Sequence, residues 1–232
     1  MNSKTLTARK IAYFAILLAL VVVLQIWGSA IPVGATRLCF TLVPIVLGAI
    51  ILGQWAGMCL GFAFGVVVLV SALVGADPFT MYLLQESPII TLLIIFVKGT
   101  LAGFLPGLTF KLLKKRPVLA TILAAAVAPI VNTGVFVVGT LIISGTIEGF
   151  MASANITGQS VIYFIIIGCA GINFLVELGI NLILAPSLAR VIGLIDKKVF
   201  ETTPETKTEN EEVKEVEENL TKEETKEGDE QC

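Results

Sequence analysis

Apolar residues run along this chain in long blocks, broken by short polar segments, with neither the period of a surface helix nor the alternation of a strand. The blocks lie near 11–31, 38–53, 56–75, 89–113, 118–144 and 161–190. A hydrocarbon core about 30 Å thick takes about 20 helical residues to cross, and the blocks meet that length or nearly so. The second is short; it either crosses with little tilt or shares its end with the Gly-Gln-Trp turn at 53–55. Residues 38–75 together measure about 57 Å at about 1.5 Å per helical residue, which is two passes. The pattern predicts an all-α membrane protein, a bundle of six transmembrane helices.

Lys and Arg in short loops mark the cytoplasmic side. Lys4, Arg9 and Lys10 precede the first block, Lys111, Lys114, Lys115 and Arg116 separate the fourth from the fifth, and Arg190, Lys197 and Lys198 end the sixth. With an even number of passes all three groups share one face, so both termini are expected in the cytoplasm. The opposite loops hold Asp77, Glu86 and Glu148, and Arg37 as their one basic residue.

Composition divides the chain in two. Hydrophobic residues make up 56% of it and the mean hydropathy is +0.91, far outside the range of a soluble domain. Residues 1–200 carry 12 basic and 5 acidic side chains, whereas residues 201–232 carry 4 and 13. The first segment is expected to be a six-span substrate-binding membrane domain. The second has too little apolar surface to offset its ordering entropy and reads as a disordered acidic cytoplasmic tail, with docking to a basic partner as the functional alternative. The leader up to Gly28-Ser29-Ala30 imitates a cleavable signal, but its apolar run is longer than a usual signal core, and it is expected to be retained. Cys39, Cys59, Cys169 and Cys232 lack metal-like or redox spacing, and Cys59 and Cys169 read as small core residues.

Catalytic constellations are missing from the sequence. It contains no His, which removes a Ser-His pair, a His-liganded zinc and a His proton relay together. It has no phosphate-binding G-x-x-x-x-G-K-[ST] loop, and its one acid inside an apolar block is Glu177. A binding or transport component is expected, not an enzyme, with no cofactor and no nucleic-acid partner.

Two stripes of small residues suggest close helix contacts. Gly53, Gly57, Gly61 and Gly65 repeat every four residues, which suits packing inside the bundle. Ala8, Ala12, Ala15 and Ala19 line one face of the first helix and run out into the polar leader, so they suit a partner outside the chain. The Ala15-x-x-x-Ala19 pair, the stretch Phe40-Thr41-Leu42-Val43-Pro44-Ile45-Val46-Leu47-Gly48-Ala49 with Leu52-Gly53-Gln54-Trp55-Ala56-Gly57, and Leu101-Ala102-Gly103-Phe104-Leu105-Pro106-Gly107 occur together here. In these features the chain resembles the substrate-binding (S) components of energy-coupling factor (ECF) vitamin transporters over about residues 10–195. Gln54 stands where a Pro usually follows the Leu-Gly pair.

The resemblance implies a protein of the prokaryotic plasma membrane that captures a vitamin from outside and has no energy source of its own. A transmembrane coupling subunit and two ATPase subunits would drive it, and the face of Ala12, Ala15 and Ala19 would meet the coupling subunit. Nickel and cobalt members use an N-terminal His, which this chain lacks, so a metal cargo is not implied.

Polar groups in hydrocarbon are costly and usually face a bundle interior or a cavity. At about 1.5 Å per residue, Lys98 lies about 14 Å below the outer surface, and Asn132 and Asn173 about 18 Å below it. Glu177 and Asn181 extend the face of Asn173 at intervals of four. One reading is structural, a Lys98–Glu177 pair with interhelical amides. The other is a substrate pocket built from Arg37, Lys98, Asn132, Asn173 and Glu177, with Arg37 as a carboxylate anchor and Trp27, Tyr82 and Gln85 bordering the entrance. The resemblance implies the pocket, with Asn173 where other members carry a ligand-contacting Asn. The two cations favour an anionic cargo such as pantothenate or a folate. Few aromatic residues are expected around the pocket, which argues against a stacked flavin or pterin and leaves pantothenate ahead of folate and riboflavin. A self-sufficient small-solute carrier, or an assembly protein without a ligand, remains the alternative function.

Overall fold

A computed structural model of the chain describes residues 3–29, 32–33, 36–37, 39–184 and 187. The acidic segment 201–232 and the basic group Arg190, Lys197 and Lys198 lie outside the described residues. The elements in order are α1 (Ser3–Ser29), a two-stranded antiparallel hairpin of β1 (Pro32–Val33) and β2 (Thr36–Arg37), α2 (Leu42–Ile51), α3 (Gln54–Leu73), α4 (Pro78–Glu86), α5 (Pro88–Leu112), α6 (Pro117–Ile142), α7 (Ser144–Ser153) and α8 (Val161–Leu184). Among the described residues five helices, α1, α3, α5, α6 and α8, are long and apolar enough to cross a membrane.

Local signals place most of the boundaries. Pro78, Pro88 and Pro117 open α4, α5 and α6 at the first turn, where proline's missing N–H costs nothing. Asp77 caps α4 by accepting from the Thr80 backbone N–H at 3.2 Å, and Ser160 caps α8 by accepting from the Tyr163 N–H at 3.3 Å. Between α2 and α3, Gly53 holds φ at 100°, a conformation that favours glycine.

The second apolar block departs from expectation. Its helix, α2, has ten residues, about 15 Å of rise, too short for a 30 Å core. The Gly53 turn ends it, and upstream the Cys39–Thr41 segment is unwound and tied to α1, with the Thr41 hydroxyl donating to Gln25 Oε1 at 2.6 Å. A short helix is tolerated here because it is sheathed in protein. Leu42, Pro44, Ile45, Val46, Gly48, Ala49 and Ile50 are all buried, and α2 packs against α1, α3, α5 and α6. The loops also hold two helices, α4 and α7, that the block pattern does not predict. They pack on one another over Phe79, Leu83, Ile147 and Met151.

Glycines seam α3 to α5. A methyl on Gly57 would strike the Gly103 carbonyl oxygen, and one on Gly61 would strike that of Gly99; the reverse holds for Gly99 and Gly103. The two backbones therefore touch along an antiparallel crossing, which side chains would prevent. The α2 end at Ala49 meets Gly57, and Gly107 near the α5 end meets Gln54. These contacts, with Leu17 against Gly48, put Arg9, Lys10 and the Lys111–Arg116 connection at one end of the bundle. The hairpin, α4, α7 and the start of α8 lie at the other.

Much of the surface is apolar, as lipid contact requires: Leu73, Ile89, Ile142 and Ile183 are each at least two-thirds exposed. Cys59 belongs to this outer surface and not to the core; on α3 it falls on the face turned away from the glycine seam. Cys39 and Cys169 are buried free thiols. Coverage differs among the long helices. Only 22% of the apolar window of α1 is buried, against 44% for α3, so α1 presents a bare face, on which Ala8, Ala12, Ala15 and Ala19 are all exposed.

Candidate functional site

The last helix is wound unusually. After one α turn at Val161–Tyr163, residues Phe164–Gly171 form a π-helix, and α winding resumes at 172–184. Such segments are rare and occur often at functional sites. Within it, the Cys169 carbonyl accepts a hydrogen bond from the Thr36 hydroxyl at 2.9 Å. That contact fastens the hairpin over the helix and brings Arg37, its neighbour on β2, to the same cavity.

One turn below the π segment stands a buried polar cluster. Glu177 is fully buried. Its Oε1 accepts from Asn173 Nδ2 at 2.8 Å on the same helix, and its Oε2 accepts from Asn132 Nδ2 at 3.2 Å on α6. Asn181 Nδ2 donates to the Glu177 backbone carbonyl at 2.8 Å. A buried carboxylate requires such donors, since desolvation without them is prohibitive. Lys98 on α5 stands across the cavity, its ammonium 5.9 Å from the ring centre of Phe64 and 5.5 Å from that of Phe136. The Glu177 carboxylate oxygens are held by the amides of Asn132 and Asn173.

All five residues singled out from the sequence, Arg37, Lys98, Asn132, Asn173 and Glu177, line one open cavity of about 590 Å³, part of it continuous with solvent. Trp27, Tyr82 and Gln85 do not line it: Trp27 packs on Phe40 at 5.7 Å, Tyr82 on Phe150 at 5.5 Å, and Gln85 is exposed. The expectation of few aromatic rings also fails, since Phe64, Phe79 and Phe136 all contribute to the wall. A uniformly apolar block does not reveal which of its rings faces inward.

Sequence reasoning also missed Gln25 and Asp77 in the lining. For Gln25 a signal existed: it is the one amide in the apolar stretch 11–31, and a buried amide there demands partners. Its Oε1 accepts from Thr41 and, at 3.8 Å, from the Cys39 thiol. Asp77 resembles a simple helix cap, and its carboxylate does serve as one while also facing the cavity.

The cavity offers two cations, two carboxylates, amides and rings, an inventory for gripping a polar solute. Among the described residues no group of His, Cys, Asp and Glu is arranged to hold a metal ion. No curated protein matches the chain. Residues 9–189 match the family model of the ECF transporter substrate-specific component, well over half of the chain. The chain therefore belongs to that family, as a multi-pass membrane transport component that confers substrate specificity and not as an enzyme.

Proposed function

We propose that this protein captures a water-soluble vitamin bearing a carboxylate, pantothenate first among them, and delivers it inward when docked to a transmembrane coupling subunit driven by two ATPases. The observation that carries the reading is the meeting of Arg37 and Lys98 with Asn132, Asn173 and Glu177 around one cavity. Cations at its walls suit a carboxylate, and the amides suit hydroxyl and amide groups of a small cargo. The three phenyl rings favour folate or riboflavin as the second choice. The basic end of the bundle faces the cytoplasm of a prokaryotic cell in this reading, with the unwound Cys39–Thr41 segment and α2 together making the sixth pass inside the protein sheath and both termini inside. The exposed alanines of α1, Ala12, Ala15 and Ala19, meet the coupling subunit.

Isothermal titration of the detergent-purified chain against a panel of B vitamins tests the proposal. Binding of one vitamin is expected. A folded protein that binds none points instead to an assembly role, and uptake by cells expressing the chain without an energising module points to a self-sufficient carrier.

A further inference from the structure

Glu177 lines the cavity, yet both of its carboxylate oxygens are engaged by amides. An ionised carboxylate only accepts hydrogen bonds. Its presence therefore forces Asn132 and Asn173 to turn their NH2 groups toward it and their carbonyl oxygens away. Those two oxygens, Asn132 Oδ1 and Asn173 Oδ1, are buried and without a hydrogen-bond partner. Asn132 is itself 5% exposed, and both side chains line the cavity. Buried acceptors without donors are rare and unfavourable; Asn181 Oδ1 in the same cluster is a third, but of these amides it is Asn132 and Asn173 that line the cavity, where a solute supplies the donors.

We propose that Glu177 is a positioning residue that fixes the orientation of both amides, so that the deep end of the cavity presents a pair of acceptors and selects a solute offering hydroxyl or N–H donors there, while Lys98 and Arg37 take its anionic end. The inference rests on the substrate-capture reading above and adds the polarity with which the solute is read. Glu177 touches the amides and not the solute. A hydroxyl in this place satisfies an acceptor that would otherwise stay unpaired, whereas a group of the same size that only accepts meets repulsion. Sites that hydrogen-bond a substrate in this way discriminate strongly against analogues lacking the donor.

The test uses the full chain in detergent and four probes: pantothenate, two analogues in which each hydroxyl in turn is replaced by fluorine, and pantothenol, which lacks the carboxylate. Fluorine is close to a hydroxyl in size and cannot donate. On the native chain, at least one fluoro analogue should bind about tenfold or more weakly than pantothenate. In Glu177→Gln the amides are free to turn, and that penalty should shrink to about threefold or less, while the preference for pantothenate over pantothenol stays. A merely structural Glu177 would lower affinity for all four probes together and leave their ratios alone. Glu177→Met frees the amides equally and replaces the first variant if that one does not fold. An undiminished fluoro penalty in the folded variant overturns the positioning role, and equal binding of all hydroxyl and fluoro probes by the native chain overturns the acceptor pair. Failure of the folded native chain to bind pantothenate overturns the cargo reading and this inference with it.

Discussion

Two interhelical contacts in this bundle solve opposite problems. Between α3 and α5, Gly57 and Gly61 meet Gly103 and Gly99 backbone to backbone, and no side chain fits between them. Between α6 and α8, a carboxylate and two amides span the gap, with Asn132 reaching Glu177 at 3.2 Å. The first contact excludes everything and sets helix geometry through van der Waals packing, which is what remains when lipid removes the hydrophobic drive. The second keeps the helices apart and leaves a cavity lined by groups that still have hydrogen-bonding capacity. A bundle that binds a solute needs both, a seam that cannot yield beside a gap that cannot close.

Breaking the seam should have the largest effect. Gly61→Trp or Gly57→Trp drives an indole into the opposing backbone, and no monodisperse protein is expected by size-exclusion chromatography in detergent. Recovery of a folded, vitamin-binding Gly61→Trp protein would show that the seam is dispensable.

Next comes a surface that belongs to neither contact. Ala15→Trp with Ala19→Trp enlarges the bare face of α1 and should abolish co-purification with the energising module and vitamin uptake. Affinity of the isolated protein should stay within about twofold, because the cavity is lined from other positions. Normal uptake by this variant would remove the main support for a coupled transporter.

Substitutions in the polar gap should act on affinity in the intact fold. Lys98→Met and Asn173→Leu are each expected to weaken vitamin binding about tenfold or more, on the order of 1.4 kcal/mol. Thermal stability must be read alongside, since Lys98 also packs against the rings of Phe64 and Phe136. A lowered Tm with unchanged affinity would make the cluster purely structural. The smallest effect is expected from truncation after Phe200, which should leave affinity unchanged, because an acidic segment of this composition has little apolar surface with which to join the bundle. A tenfold loss on truncation would contradict that.

What the sequence reveals follows from how local each signal is. Five long helices are legible because 18 or more apolar residues can hardly be anything else. The seam is legible because glycine at intervals of four repeats one face. The convergence of Lys98, Asn132 and Asn173 follows from similar depth and from the cost of polar groups in hydrocarbon, and Glu177 joins them one turn along the face of Asn173. By contrast, α2 looks like a span because its length depends on what surrounds it, and only the packing of α1, α3, α5 and α6 shows that protein replaces lipid there. Helices α4 and α7 carry modest apolar content, and their folding depends on their mutual contact at the rim of the cavity. Phe64, Phe79 and Phe136 are hidden for another reason: among apolar neighbours, a ring turned inward has the same sequence signature as one turned to lipid.

The π-helix in α8 makes residue number, and not only residue identity, part of the design. Removing one residue from Phe164–Gly171 would let i→i+5 bonding relax to ordinary i→i+4 winding, which keeps the helix on either side in register but re-aims the carbonyls inside the segment. The Cys169 carbonyl would then swing out of reach of Thr36, and the hairpin carrying Arg37 would lose its fastening, while Asn173 and Glu177 kept their places. Each residue in this stretch therefore acts as a spacer, and a deletion that leaves every polar side chain intact would still dismantle the roof of the cavity.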